Sequence, residues 1–308
     1  MSALAGEIVL AHGDALAAPR LSVLVPFHRY DARPLIERLD GPNVELILLD
    51  DGSGDAALLA AITEAAAQAA CPTKLIVWQN NRGRAAARNR LIAEARGEYV
   101  LFLDADMIPD ADDFLQLWLN LIQRERPFIA FGGLSLAHVS RAPETALHHF
   151  LFARSDCRSA WMRERSPAQF VATSNLLVRR DVLAATPFDS DFSGWGFEDV
   201  EWAVRASRHA PILHVDITAT HAGLDTVETL LRKSAEAGPN YGRLARKHPE
   251  ATRAFAAYRV ARWLKRLPGR AVLRDACAWL AREGSAPLML RSLALKTFRA
   301  AHFAEHLP

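Results

Sequence analysis

From Leu21 onward the chain alternates short apolar runs with stretches of helical periodicity. "LSVLVPF" (21 to 27), "VELILLD" (44 to 50), "KLIVWQ" (74 to 79) and "EYVLFLD" (98 to 104) read as strands. "DAALLAAITEAAAQAA" (55 to 70) and "RAAARNRLIAEA" (84 to 95) read as helices between them. Strands that are apolar on both faces, with helices in the connections, predict a mostly parallel sheet covered on both sides. After "FIAFGGLSLA" (128 to 137) the rhythm becomes irregular, and beyond Asp225 the strand signals fade. Helical segments follow near 226 to 247, 251 to 266, 270 to 283 and 287 to 303, with breaks expected at Pro239, Pro249, Pro268 and Pro287. The expected class is α/β, with a first unit over 1–225 and a helical, basic extension over 226–308. Within the first unit, 20–107 forms one half and 108–225 the other.

The strand "YVLFL" ends in "DAD", with Asp104 and Asp106 separated by one small residue. In an extended segment residues i and i+2 share a side, so both carboxylates converge on one spot. Two anions about 5 Å apart at an effective dielectric near 20 repel by roughly 3 kcal/mol, so a cation is expected there. Two solvated loop acids are the plainer reading. Other strand ends carry "VPFHRY" (25 to 30), "LDDGSG" (49 to 54) and "QNNRGRAAARN" (79 to 89). Ligands of open α/β sheets bind at the carboxyl ends of strands, so the four clusters are expected to line one cleft. Asp51 can accept from a base N–H, Arg84 and Arg88 can donate to base or phosphate oxygens, and Asp104 with Asp106 can hold a metal and a ribose. "GSGDAA" (52 to 57) matches the G-x-G-x-x-A dinucleotide fingerprint, but Asp50 and Asp51 would set negative charge beside a pyrophosphate. No acid ends the following strand, at "IVWQNN", to take a ribose, so that reading is rejected.

Taken together, "VPFHRY", "LDDGSG", "NNRGRAAARN", "GEYVLFLDAD" and "TSNLLVRRDVL", in this order and spacing, resemble the inverting glycosyltransferases of family 2, over about residues 20 to 225. "FSGWGFEDVEW" (192 to 202) is similar to the Gly-Trp-Gly-x-Glu-Asp element of galactosyltransferase-like and chondroitin-polymerase-like members. The resemblance implies a GT-A, Rossmann-like fold and sugar transfer from a UDP-sugar to a hydroxyl of a saccharide or lipid-linked saccharide, in bacterial surface polysaccharide or glycolipid assembly. It implies that Pro26, His28, Tyr30, Asp51, Arg84, Arg88, Asp104 and Trp195 contact the nucleotide-sugar. Asp106, Asp104 and His221 would hold Mn²⁺ or Mg²⁺. His214 is the competitor of His221, and a plain core or surface histidine is the alternative for either. Asp199 is expected to be the catalytic base, kept ionised by a helix N-terminus, with Glu198 bound to sugar hydroxyls. Glu201 lies a turn further on, and the plainer reading of all three acids is a helix start. A sugar nucleotidyltransferase would want a Gly-rich basic loop where this chain has "PFHRYDARP". A non-catalytic nucleotide-sugar binder would not need "GWGFED".

Composition adds bounds. Half of the 308 residues are hydrophobic and the net charge is +2, too balanced to indicate nucleic acid. Three scattered cysteines make neither a zinc signature nor a disulfide framework and suit a reducing cytosol. The start has no basic region before its apolar residues, and no apolar run reaches bilayer length, so a cytoplasmic location is expected. "RVARWLKRLPGRAVLR" (259 to 274) mixes basic and apolar residues. It reads either as contact with an anionic membrane surface, giving a peripheral location on the inner membrane, or as a helical cap with a basic face.

Overall fold

A computed structural model describes residues 6–308; Met1 to Ala5, which the sequence reading includes in the first unit and in the start without a basic region, lie outside the described residues. The strands are β1 (Glu7–His12), β2 (Leu21–Phe27), β3 (Val44–Asp50), β4 (Thr73–Trp78), β5 (Tyr99–Leu103), β6 (Met107–Pro109), β7 (Ile129–Phe131), β8 (Leu134–Ser135), β9 (Asn175–Arg179), β10 (Ile212–His214) and β11 (Ala219–His221). Eight form one sheet in the order β1-β4-β3-β2-β5-β9-β7-β10. The block β4-β3-β2-β5 is parallel, as the two-sided apolar runs predict. β9 runs antiparallel to both neighbours. The edge strand β1 was not foreseen; it is short, leaves Ile8 and Val9 exposed and pairs antiparallel with β4.

Register sets the strand ends level. Phe27 pairs with Asp50, and Asp50 with Val77, so the loops after β2, β3, β4 and β5 open onto one edge of the sheet. All seven residues of β3 are buried. Its one internal acid, Glu45, is satisfied there by Ser22 and by the Arg96 amide and guanidinium. A second sheet, β6-β11-β8, pairs His221 with Met107 and thereby brings a residue from the end of the α/β part beside the loop after β5.

The extension forms helices Val227–Lys247, Pro249–Ala254, Ala256–Lys265, Arg270–Arg282 and Leu288–His306. Pro239 does not end the first of them, contrary to expectation. A proline inside a helix costs about 3 kcal/mol. Here the surrounding residues Ala237, Gly238, Asn240 and Tyr241 are buried, and the last helix approaches so closely that a Cβ at Gly242 would collide with the His306 carbonyl. Tertiary packing outweighs the local penalty. This helical layer shares an apolar cluster with Phe192, Trp195 and Phe197, so it also builds the wall behind "GWGFED". Among the described residues no helix is long and apolar enough to cross a membrane.

Candidate functional site

A cavity of about 570 Å³ opens at the carboxyl ends of β2 to β5. Pro26, His28, Tyr30, Asp51, Arg84, Arg88, Asp104, Asp106 and Trp195 all line it, so the residues expected at the nucleotide-sugar do meet in one cleft. A wider depression of about 970 Å³ lies at the opposite strand ends, where Arg20 pairs with Glu98 and Arg179 with Asp181.

Asp51 shapes the cleft floor. Its carboxylate accepts the backbone N–H groups of Arg82 at 2.6 Å and Gly83 at 3.0 Å, which fixes the loop leading to the Arg84–Glu94 helix. Burial raises its pKa despite these two bonds. His28 Nδ1 lies 2.9 Å from the Asp51 carbonyl, and Ser53 Oγ accepts the Arg29 amide, tying the loops after β2 and β3 together.

The two arginines expected to act alike do not. Arg84 is 45% exposed and reaches Glu198 only at 3.6 Å. Arg88 is 1% exposed, with Nη1 donating to Glu198 at 2.9 Å and Nη2 to Asp104 at 3.3 Å. Arg88, which also lines the cleft, is thus braced between these two acids. Glu198, expected on sugar hydroxyls, instead faces both guanidinium groups.

Asp106 Oδ2 lies 3.2 Å from His221 Nε2, and the Asp106 carbonyl accepts the Ala222 amide. Burial alone would depress His221, but the hydrogen bond and charge of Asp106, with Asp104 and Asp225 adding, raise its pKa. For Asp106 burial is overcome in the same way, chiefly by His221, and its pKa falls. Gly223 packs so tightly that a Cβ there would collide with the Asp106 carboxylate. Asp106 Oδ1 and His221 Nδ1 are buried without a hydrogen-bond partner. A carboxylate and an imidazole turned on each other, with an orphaned buried oxygen, are donors suited to a divalent cation. Among the described residues no group of three such donors is assembled, and Asp104 is paired with Arg88. The ring of His214, the alternative, is engaged elsewhere, 3.5 Å from Arg163 and 3.2 Å from the Pro167 carbonyl, and burial lowers its pKa to about 4.

"GWGFED" forms a tight turn into the Glu198–Ala206 helix. Gly194 and Gly196 have positive φ, and so does Phe197, at 72°. A bulky residue in that region is strained by about 1–3 kcal/mol and needs its surroundings to hold it. Phe197 packs on Tyr241 and Phe303, while Asn240 Nδ2 donates to the carbonyls of Ser193 at 2.9 Å and Gly196 at 3.0 Å. The turn sets Glu198 and Asp199 side by side with different environments. Burial would raise the pKa of Glu198, but Arg88 and Arg84 bring it below the ordinary value. Burial, then the neighbouring Glu198, push Asp199 up to about 7. The expectation that the helix end keeps Asp199 ionised is corrected; its Oδ1 does accept the Val200 amide at 2.7 Å, but desolvation prevails.

Asp199 and Glu198 line a second chamber of about 280 Å³, which shares Arg84 and Trp195 with the first cleft. Sequence reading missed Arg232, Lys233 and Glu236 of the Val227–Lys247 helix, which line the first cleft, and Asn240, which clamps the turn. Lys233 is bound to Asp225 at 2.7 Å and lies over the Trp195 ring. Its only signal was polar residues on one side of a helix in the extension.

The family model for glycosyl transferase family 2 matches residues 22–186, more than half of the chain. The amylovoran biosynthesis glycosyltransferase AmsB of Erwinia amylovora is 35% identical over 181 residues, 54% of this chain and 55% of that protein. The dodecaprenyl-phosphate galacturonate synthase of Rhizobium johnstonii is 31% identical over 127 residues, 39% of this chain and 37% of that protein. The chain thus spans about half or less of the length of these relatives. The fold is that of the GT-A glycosyltransferases. The mannosyltransferase PcManGT of Pyrobaculum calidifontis, in complex with GDP-Man and Mn²⁺, superposes with a TM-score of 0.57 over 92% of this chain and 86% of its own, at 18% identity. S. aureus TarS, residues 1–349 with UDP, gives 0.53 over 92% and 90%, at 17% identity.

Proposed function

We propose, on the premise that the chain belongs to glycosyl transferase family 2, that it moves a sugar from a UDP-sugar to a hydroxyl of a saccharide or lipid-linked saccharide, with inversion at the anomeric carbon. Bacterial surface polysaccharide or glycolipid assembly is the setting, a reading that the amylovoran relative supports. The carrying observation is the split between adjacent carboxylates. Glu198 is held ionised by two arginines, while Asp199, in the smaller chamber, has its pKa raised to about 7. Two acids driven apart in pKa by their environments divide their labour.

In this reading the donor nucleotide occupies the larger cleft, with its diphosphate near Arg84 and Lys233, and the acceptor occupies the smaller chamber. Asp199 takes the proton of the acceptor hydroxyl as that oxygen bonds to the anomeric carbon, and the bond to the phosphate oxygen breaks with its electrons leaving on UDP. Glu198 and Arg88 hold the helix start and Asp104 in register, and Trp195 offers a face to the sugar between the chambers. Asp106 and His221, with Asp104 beside them, would hold Mn²⁺ or Mg²⁺, which when bound supplies positive charge against the diphosphate. The test is a panel of nucleotide sugars with Mn²⁺, scored for nucleotide release. Release from no UDP-sugar, or equal release from GDP-sugars, overturns the donor assignment.

The extension supports a peripheral position on an anionic membrane. Residues 251 to 274 contain seven Lys or Arg and no Asp or Glu. Val260, Trp263, Val272 and Trp279 are exposed on the helices of this stretch, and Met289, Leu290 and Leu293 on the Leu288–His306 helix. Basic residues interleaved with exposed aromatic and aliphatic side chains suit the headgroup region of a bilayer, where a lipid-linked acceptor would be met.

A further inference from the structure

The smaller chamber contains a cation that the chemistry above does not use. Arg299, on the Leu288–His306 helix, lines it together with Asp199, Asp156, Gln169 and Trp195. The residue is partly buried. The other arginines of this chamber each meet a carboxylate, Arg84 facing Glu198 at 3.6 Å and Arg163 facing Asp216 at 3.0 Å. Among the described residues Arg299 has no carboxylate within 4.0 Å, and its hydrogen bond, from Nε to Ser234 Oγ, is long at 3.4 Å. Asp156 is the acid that acts on it through space, yet burial raises the pKa of Asp156 and weakens it as a counterion. Burial correspondingly draws the Arg299 pKa below its ordinary value.

A largely withdrawn charge without a close counterion is unfavourable, and is retained where a ligand supplies the partner. The ligand in this chamber also has to present a hydroxyl to Asp199. We propose that Arg299 binds an anionic group on the acceptor, a sugar carboxylate or a phosphate ester, and so makes the enzyme selective for acidic acceptors. The guanidinium fork suits both groups, since each offers two or more oxygens to parallel N–H donors. The chamber's volume lies at the small end of ligand pockets, which restricts the bound portion to a single sugar with its acidic substituent. The inference rests on reading this chamber as the acceptor side of a glycosyltransferase.

The experiment titrates the full chain, with UDP and Mn²⁺ present, with methyl β-glucuronide, glucose 6-phosphate and neutral methyl β-glucoside, following binding by ligand-observed NMR. At least one acidic sugar should bind about tenfold or more tightly than the neutral one, and the tighter of the two identifies the carboxylate or the phosphate as the natural group. In Arg299→Gln the preference should shrink to within about twofold, while Arg299→Lys, which keeps the charge, should retain part of it. UDP affinity should be unchanged in both variants, which also reports that they are folded. Equal binding of neutral and acidic sugars, a preference that survives in Arg299→Gln, or binding of UDP without any of the three sugars would overturn the proposal. Loss of UDP binding in the unmutated chain would instead overturn the donor reading on which it stands.

Discussion

Arg88 and Glu198 meet at 2.9 Å with both side chains almost wholly withdrawn from solvent. Each is a charge that the fold tolerates only because the other is present. Removing one member of a buried pair typically destabilises by about 3–5 kcal/mol, because the remaining charge is stranded. Arg88→Met should therefore lower the urea midpoint sharply. Arg84→Gln should change stability by less than about 1 kcal/mol, since that side chain is 45% exposed and its ion pair is loose, but it should weaken UDP binding. Calorimetry and urea titration of the two variants separate the roles. A stable Arg88→Met with poor UDP affinity would mean that Arg88, not Arg84, is the nucleotide ligand.

Asp199 with a pKa of about 7 predicts turnover that rises with pH through that value, because the protonated acid cannot accept a second proton. Asp199→Asn should lower kcat by about 100-fold to 10,000-fold with UDP affinity unchanged. The same shift has a stability consequence. The folded pKa lies above the unfolded value of about 3.9, so between the two the folded state holds more protons. Stability from this group is fully present below about 4, declines as pH rises and is lost above about 7. Asparagine has no such decline, so the variant should melt higher than the unmutated chain at pH 8 and lose that advantage at pH 4. Normal turnover in Asp199→Asn together with an inactive Glu198→Gln would assign the base to Glu198.

Gly223 offers a test of the metal reading that leaves every proposed ligand in the sequence. A methyl group at this position collides with the Asp106 carboxylate and must turn it away from His221. Gly223→Ala should weaken UDP binding in Mn²⁺ by about tenfold or more and leave binding in EDTA unchanged. The unmutated chain should itself bind UDP less tightly in EDTA. Isothermal titration in the two buffers reads both outcomes, and equal affinity of the unmutated chain with Mn²⁺ and EDTA would remove the cation from the mechanism.

What the sequence made legible follows from what is local. β3 and β5 announce themselves because burial on both faces demands unbroken apolar runs, and the strand-end clusters fall on one edge because parallel strands of similar length end together. Asp104 and Asp106 stand out by their i, i+2 spacing after β5, but the chain turns there, the Met107 amide donating to the Asp104 carbonyl, and the two acids go to different partners, Arg88 and His221. His221 came only through family resemblance, since the β11 to β6 pairing that brings it to Asp106 joins distant segments. The different fates of Arg84 and Arg88, four residues apart on one helix, depend on how deeply that helix is packed, which no spacing records. Lys233 and Asn240 were hidden for another reason: they belong to a helical extension read as an accessory, whereas Phe197 and the turn before it are held in place by that extension.

The extension's outer surface supplies the last prediction. Trp263 and Trp279 are more than half exposed, on consecutive helices, and Arg259, Arg262, Lys265, Arg266 and Arg270 lie along the same stretch of chain. Exposed tryptophan is disfavoured on a surface that faces only water, and each Lys or Arg near an anionic bilayer contributes on the order of 1 kcal/mol. The chain should sediment with vesicles containing phosphatidylglycerol at low salt and be released as salt screens the charges. Neutral phosphatidylcholine vesicles should retain little of it. Trp263→Ser with Trp279→Ser leaves the charge untouched, so its effect isolates the apolar contribution, and it should weaken vesicle binding about tenfold or more while UDP affinity holds. Reversing charge at Arg262 and Arg266 should remove the salt dependence instead. A basic cap with no lipid partner predicts none of this: the chain would stay in the supernatant with anionic vesicles even at low salt, and that result would sink the membrane reading while leaving the two chambers and their chemistry intact.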